Sequence, residues 1–284
     1  MFYHCRNKIN YLKPSFHIKS QNEYNPANSI LLLIAGTRYC SFAVMNYLSK
    51  ELVEFGYYTA TEDENDYKSF FESVESLNNR YYQTAIGYDA HESVQIPSPV
   101  YKYEDGQINL DAAFGKSIYT TVVSENVPGW SFYNVYRLPS YLHSAVSWKF
   151  LTAKTWNMYS VLLRDRSSNN DESMIVDFKT DEFSLVVLRN SKLMLANTFS
   201  YTSPDDVLYH ILKCCQQLNL SQQTVKLFLS GLIEKDSAVY RELYKYFIDL
   251  EFESLSGDVK LAESLAVHPE HYFSSFSKLA ACVL

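Results

Sequence analysis

Two stretches of this chain repeat one order of hydrophobic and polar positions. In the first, the apolar runs ILLLIAG (from Ile30 to Gly36), YCSFAVMNY and ELVEFGYYT are separated by the short polar breaks TR and LSK, which predicts three consecutive strands. The next segment, DENDYKSFFESVESLNNRY, sets Tyr67, Phe70, Phe71, Val74 and Leu77 at helical spacing, and YQTAIGYD then reads as a strand. In the second stretch, Met174 to Phe178, FSLVVL and LMLANTF predict a meander joined by the polar turns KTDE and RNSK. SPDDVLYHILKCCQQL follows as an amphipathic helix, with Ser203 as N-cap, Pro204 at the first helical position and Asp205 and Asp206 at its positive end. VKLFLSG predicts a strand ending in Gly231, and SAVYRELYKYF a helix with Val239, Leu243 and Phe247 on one side. The order β-β-β-α-β thus occurs twice, from near Ile30 and from near Met174, with little residue identity between the copies.

Between the copies, IPSPVYKYEDG reads as loop, SFYNVYRLP as a strand, and PSYLHSAVSWKFLTAKTWNMYSVLLRD as mainly helical. The polar run RSSNNDES has the composition of a linker, and the two halves are taken as residues 1–140 and 141–284. At the far end, HYFSSFSKLAACVL brings Tyr272, Phe273, Phe276, Leu279, Ala280 and Val283 to one helical face. With Lys278 as its one basic residue, this segment is expected to dock on the core rather than lie on a lipid surface.

Two β-β-β-α-β units in a chain of 284 residues are the ground plan of the actin-like ATPase superfamily, so the expected fold class is α/β with mixed sheets, built from duplicated ribonuclease H-like units. LMLANTFSYTSPDDVLYHILKCCQQLNL, followed by VKLFLSGLIEKDSAVYRELYKYF, resembles a family of Bacteroidetes proteins of unknown function that is placed with the actin-like ATPase folds. More distantly, the plan is similar to the pilus-assembly PilM and division FtsA families. The resemblance implies two domains facing each other across a cleft, and it brings no established activity with it.

It also implies where a nucleotide would sit. The first turn of the superfamily reads Asp-x-Gly-Thr; IAGTRY keeps Gly36 and Thr37 but has Ile34 in the aspartate's place. The second reads Asp-x-Gly-x-x-x-Thr; DFKTDEF keeps Asp177, while Lys179 and Phe183 replace the glycine and the threonine. On the adenosine side, FLSGL offers Ser230 and Gly231 where the superfamily has Gly-Gly. The nucleotide-binding candidates implied are Gly36, Thr37, Asp177, Ser230 and Gly231, with no catalytic residue and with Asp177 the one metal candidate. Hydrated magnesium depends on one or two carboxylates, so the missing first aspartate removes an anchor. A long side chain at position 179 obstructs a positive-φ turn around phosphate. Asp177 itself is expected to accept backbone hydrogen bonds in a turn.

The expectation is therefore a non-catalytic, protein-binding or scaffold protein with a degenerate nucleotide cleft, no resident cofactor and a protein partner. The alternatives are an ATP- and magnesium-binding protein or active ATPase in assembly, and a ligand-binding module built on the 24 tyrosines.

Composition narrows the picture only at its edges. A net charge of −7 gives no basic footprint for nucleic acid. Five scattered cysteines, an odd number with Cys214 and Cys215 adjacent, make a poor disulfide framework and suggest a cytoplasmic protein; ILLLIAG is too short to cross a bilayer, so no membrane insertion is expected. FGKS (Phe114 to Ser117) echoes a phosphate-binding loop but has Leu110 where the motif requires glycine. His210 with Cys214 is expected to be core packing rather than a metal site. The His268 and His271 pair in HPEHYF is attributed to a helix start made by Pro269 and Glu270.

Overall fold

The computed structural model describes residues 12–21, 23–60, 67–164, 166 and 171–284. Cys5, residues 63–66 at the head of the first expected helix and residues 167–170 of the polar run lie outside the described residues.

The first sheet contains β1 (Leu12–Lys19), β2 (Ser29–Gly36), β3 (Tyr39–Asn46), β4 (Glu51–Ala60) and β5 (Gln83–Asp89). Strands β2, β3 and β4 form an antiparallel meander, and β5 lies parallel to β2 with Gly36 opposite Asp89. The second sheet contains β10 (Ser173–Phe178), β11 (Glu182–Arg189), β12 (Lys192–Ser200), β13 (Lys226–Gly231) and β14 (Asp249–Phe252), in the order β12-β11-β10-β13-β14. Here too the fourth strand of the unit, β13, lies parallel to the first, β10, with Asp177 opposite Ser230. The repeated pattern in the sequence is thus a repeated topology: β4-β3-β2-β5 in one sheet and β12-β11-β10-β13 in the other.

Helix α1 (Tyr67–Ser73) follows the first meander, and α5 (Pro204–Leu218) and α6 (Ala238–Tyr244) belong to the second unit. The start of α5 is set by a complete capping box, with Ser203 accepting from the Asp206 amide and the Asp206 carboxylate accepting from the Ser203 amide. Val207, Ile211 and Cys215 on its inner face pack with Phe183, Leu185 and Leu229.

Between the units the expected strand SFYNVYRLP is present, but the rest departs from expectation. A third sheet, in the order β6-β8-β7, is formed by β6 (Ser93–Pro97), β7 (Thr120–Asn126) and β8 (Phe132–Pro139), with α2 (Gly106–Phe114) beside it. The segment expected to be mainly helical is instead α3 (Ser140–Lys149), a four-residue strand β9 (Lys154–Asn157) that adds to β5, and α4 (Met158–Leu163). Helix α3 ends at Phe150, and Asn157 restarts the helix as an N-cap, its side chain accepting from the Tyr159 amide at 2.8 Å. The expected division at 140/141 coincides with the first residue of α3; β9, beyond it, belongs to the first sheet, as does the short β15 (Lys260–Leu261) beside β4. FGKS is the end of α2: Gly115 takes a φ of 82° as its C-cap, and the Gly115 carbonyl accepts from Arg137.

After α7 (Glu263–Ala266), α8 (Ser274–Ala280) runs between the two large sheets, every residue buried, against β2, β5, β13 and α4. Phe273 and Phe276 meet Phe55 edge-to-face at 5.1 and 5.4 Å. Burying each such ring contributes about 1.5–3 kcal/mol. Among the described residues, no helix is long and apolar enough to cross a membrane.

Candidate functional site between the two hairpins

The β2–β3 turn, which carries Gly36, Thr37 and Arg38, faces the β10–β11 turn, which carries Lys179, Thr180 and Asp181. Arg38 forms an ion pair with Asp181 and lies 4.0 Å from the Glu182 carboxylate. Thr180 donates to the Tyr57 hydroxyl at 3.3 Å. Gly36 is required by its surroundings: a Cβ there would stand 3.0 Å from the Tyr39 ring, and the Gly36 carbonyl accepts from the buried Tyr67 hydroxyl. Gly231, with a φ of 74°, passes so close to Phe178 that a Cβ would fall 2.1 Å from its carbonyl oxygen.

Lys179 lies beneath these turns and is buried. Its ammonium stands 3.5 Å from Asp89 Oδ2 and 3.5 Å from Asp177 Oδ2, and it donates to Ser184 Oγ. Asp89 is the last residue of β5 and Asp177 the penultimate residue of β10, so one lysine ties the two parallel-strand ends of opposite units together. Asp177 Oδ1 accepts from Ser230 Oγ at 2.7 Å and from Ser275 Oγ of α8 at 3.0 Å. Asp89 Oδ2 accepts from the Tyr39 hydroxyl at 2.7 Å.

The electrostatics follow from this geometry. Burial alone would raise the Asp89 carboxyl; the Lys179 ammonium, His91 and the Tyr39 hydroxyl outweigh it and hold the carboxyl below its ordinary value. Burial alone would discharge Lys179, but Asp89, Asp177 and Glu182 hold its pKa above the usual lysine value. Next to this core, His91 Nε2 lies 3.3 Å from Glu182 Oε1, and donor atoms of Asp89, His91 and Glu182 all fall within 4.8 Å of one another.

The five residues singled out in the sequence therefore sit in or beside one region. Asp177 and Ser230 bond directly, Gly36 and Thr37 form the facing turn, and Gly231 closes β13 beside Phe178. The bonds to Asp177 differ from expectation: they come from the hydroxyls of Ser230 and Ser275 and from the Lys179 ammonium, all side chains. Lys179 is not among the positive-φ residues of the described chain, so this turn is built without the glycine conformation. Sequence reasoning took Lys179 as an obstruction and passed over Asp89, His91, Glu182 and Ser275. The one signal for Asp89 is its place at the carboxyl end of a strand parallel to β2, where open α/β sheets gather their ligands.

Two histidine expectations resolve locally. His210 stacks on Phe199 at 4.5 Å while Cys214 and Cys215 are buried, which is core packing. His271 is more than part of a helix start: its ring is buried on Phe252 at 4.2 Å and its Nε2 lies 2.6 Å from the Ile233 carbonyl, and Pro269 supplies no side-chain cap.

A family model described as "Protein of unknown function (DUF3822)" matches residues 19–250. No curated protein matches the chain. Among solved structures, the chain is similar to a Bacteroides thetaiotaomicron protein with actin-like ATPase fold and unknown function, at 16% identity and a TM-score of 0.70, over 90% of this chain and 96% of that one. It is also similar to a chain of the PilM-PilN type IV pilus biogenesis complex, at 12% identity and a TM-score of 0.58, over 91% of this chain and 100% of that one. The fold is that of the actin-like ATPases.

Proposed function

The chain belongs to the DUF3822 family, and on that footing we propose that it is an actin-like ATPase-fold protein whose nucleotide cleft has become a fixed internal ion-pair core, and that it works by binding other proteins rather than by hydrolysing ATP. The observation that carries this reading is the Lys179 ammonium, buried 3.5 Å from both Asp89 and Asp177. A hydrated magnesium ion bound with ATP relies on one or two carboxylates and the phosphate oxygens. Here the two carboxylates at the strand ends already share the protein's own cation. Expelling Lys179 to admit magnesium would break both of its carboxylate contacts and its hydrogen bond to Ser184.

Sequence and geometry agree on the same side. Ile34 replaces the first aspartate, and Phe183, replacing the threonine, is fully buried in the second core. The Arg38–Asp181 pair and the Thr180–Tyr57 contact draw the two turns together where phosphates would enter. A protein partner is supported by analogy: a protein of the same fold is found in the PilM-PilN complex. A cytoplasmic location is in keeping with the buried thiols of Cys40, Cys214 and Cys215. The tyrosine-surface reading has less support, because Tyr39, Tyr57, Tyr58, Tyr67, Tyr88, Tyr136 and Tyr159 are core residues.

A thermal-shift titration with ATP and ADP, each with and without magnesium, tests the reading. A ligand at a hundred times its dissociation constant contributes about 2.7 kcal/mol and raises Tm by several degrees. No shift is expected; a magnesium-dependent rise would replace this reading with that of an ATP-binding protein.

A further inference from the structure

Beside Lys179, three ligand-type side chains from opposite halves of the molecule converge. Asp89 closes β5, His91 follows two residues later, and Glu182 opens β11 in the other unit. Asp89 and Glu182 are each 2% exposed, whereas the His91 side chain is 33% exposed and gives the group an opening to solvent. His91 Nε2 faces Glu182 Oε1 at 3.3 Å without an aligned hydrogen bond, and the second oxygen of the same carboxylate, Glu182 Oε2, is buried with no hydrogen-bond partner among the described residues. Arg38 Nη1 stands 4.0 Å from Glu182 Oε2, beyond hydrogen-bond reach. A carboxylate oxygen left this way in the interior is costly, and the cost is removed if a cation completes the site.

The local charge points the same way. Asp89, Asp177, Asp181 and Glu182 gather around Lys179 and Arg38, with Lys278 also within electrostatic reach of Asp177, so carboxylates remain in excess beside His91. The His91 Nε2 to Glu182 Oε1 separation of 3.3 Å matches the edge of a tetrahedron around zinc, about 3.4 Å for metal–ligand bonds of ~2.1 Å. Donors within 4.8 Å of one another reach such a centre by small side-chain rotations. The Tyr39 hydroxyl and the Lys179 ammonium, both on Asp89 Oδ2, would orient that carboxylate from the second shell. One imidazole with two carboxylates is a donor set for zinc or a neighbouring transition ion rather than for magnesium, which takes oxygen alone.

We propose that Asp89, His91 and Glu182 form a divalent transition-metal site, selective for zinc over magnesium, that clamps the β5 end of one half to the β11 start of the other. Three protein ligands leave one position for water or an exchangeable ligand. The site shares Asp89 with the Lys179 ion-pair core on which the proposed function rests.

The test uses the full chain, stripped with a chelator and dialysed, and titrated with zinc chloride in calorimetry and in competition with a chromophoric chelator. Magnesium chloride is titrated in parallel, and no nucleotide is present in any arm. The expected result is one equivalent of zinc bound, with no comparable magnesium binding, a metal-dependent rise in Tm, and affinity lowered at least tenfold in His91→Ala and in Glu182→Gln. His91 is partly exposed, so His91→Ala is read by its zinc affinity relative to the wild type, each folded variant compared with its own metal-free Tm, and it remains decisive if Glu182→Gln folds poorly. Absence of stoichiometric binding, or zinc binding that survives His91→Ala undiminished, would overturn the proposal. Because nucleotide is left out, either outcome is separate from that of the ATP titration.

Discussion

Replacing Lys179 by methionine keeps the length of the side chain and removes its charge, and the structure allows the consequence to be sized. The ammonium is 3.5 Å from each of two carboxylates. At an effective dielectric of ~20, each such contact is worth about 5 kcal/mol before desolvation. Burying the ammonium costs several kcal/mol in return, so the pair of contacts is not a net gain of that size. Removal of one member of a buried ion pair nevertheless costs about 3–5 kcal/mol, because the charges left behind have neither partner nor water. In Lys179→Met, Asp89 and Asp177 are left together without their shared cation.

The sign with pH follows. In the wild type the Asp89 carboxyl lies below its ordinary value, so its contribution is present above that value and fades as pH falls through the folded one. In the variant Asp89 keeps its burial and loses the ammonium that outweighed it, so its carboxyl is expected to hold its proton above the ordinary value. The stability gap between wild type and variant should therefore be about 3–5 kcal/mol near pH 8 and shrink toward zero near pH 4. Urea denaturation at a series of pH values measures it. A gap under ~1 kcal/mol near pH 8, or one that does not change with pH, would refute the placement of Lys179 as the cation of this core.

Two further outcomes follow from other parts of the structure. Burial pushes the Glu125 carboxyl up to about 7 from its ordinary 4.5, although it accepts from the Asn157 amide at 3.0 Å. Between those values the folded state holds the extra proton, so stability falls as pH rises through that window; Glu125→Gln should raise Tm near pH 8 and leave it unchanged near pH 4, whereas an equal effect at both would refute the assignment. Phe276→Ala empties the contact of α8 with Phe55 between the sheets and should cost about 3–5 kcal/mol in chemical denaturation; a loss below ~1 kcal/mol would mean that α8 does not hold the sheets.

What could be read in the sequence, and what could not, divides along physical lines. The two β-β-β-α-β units were legible because their strands are apolar runs bounded by polar turns and because α5 carries a full set of start signals, Ser203, Pro204 and Asp206. Of the β6-β8-β7 sheet only β8 was, since β7 is half-buried along all but its last residue and its sequence, TTVVSEN, gives no sustained alternation. Strand β9 was hidden because Lys154–Asn157 is four residues long and lies between helical segments. At the site, Gly36, Thr37, Asp177, Ser230 and Gly231 could be placed because their turns resemble those of the actin-like ATPase superfamily. The roles of Asp89, His91 and Glu182 could not, because they depend on strand ends from two separate sheets coming together. Lys179 was visible but its direction was not: the same residue can block a turn from outside or, as here, fold inward and act as the cation of the core.

Calorimetric titration of magnesium-ATP into the wild-type chain tests the central claim most directly. With Lys179 between Asp89 and Asp177, no saturable heat is expected at nucleotide concentrations up to the millimolar range. Magnesium-dependent binding in the micromolar range, abolished by Asp177→Ala, would contradict the account and return Asp177 to the service of a metal and a phosphate.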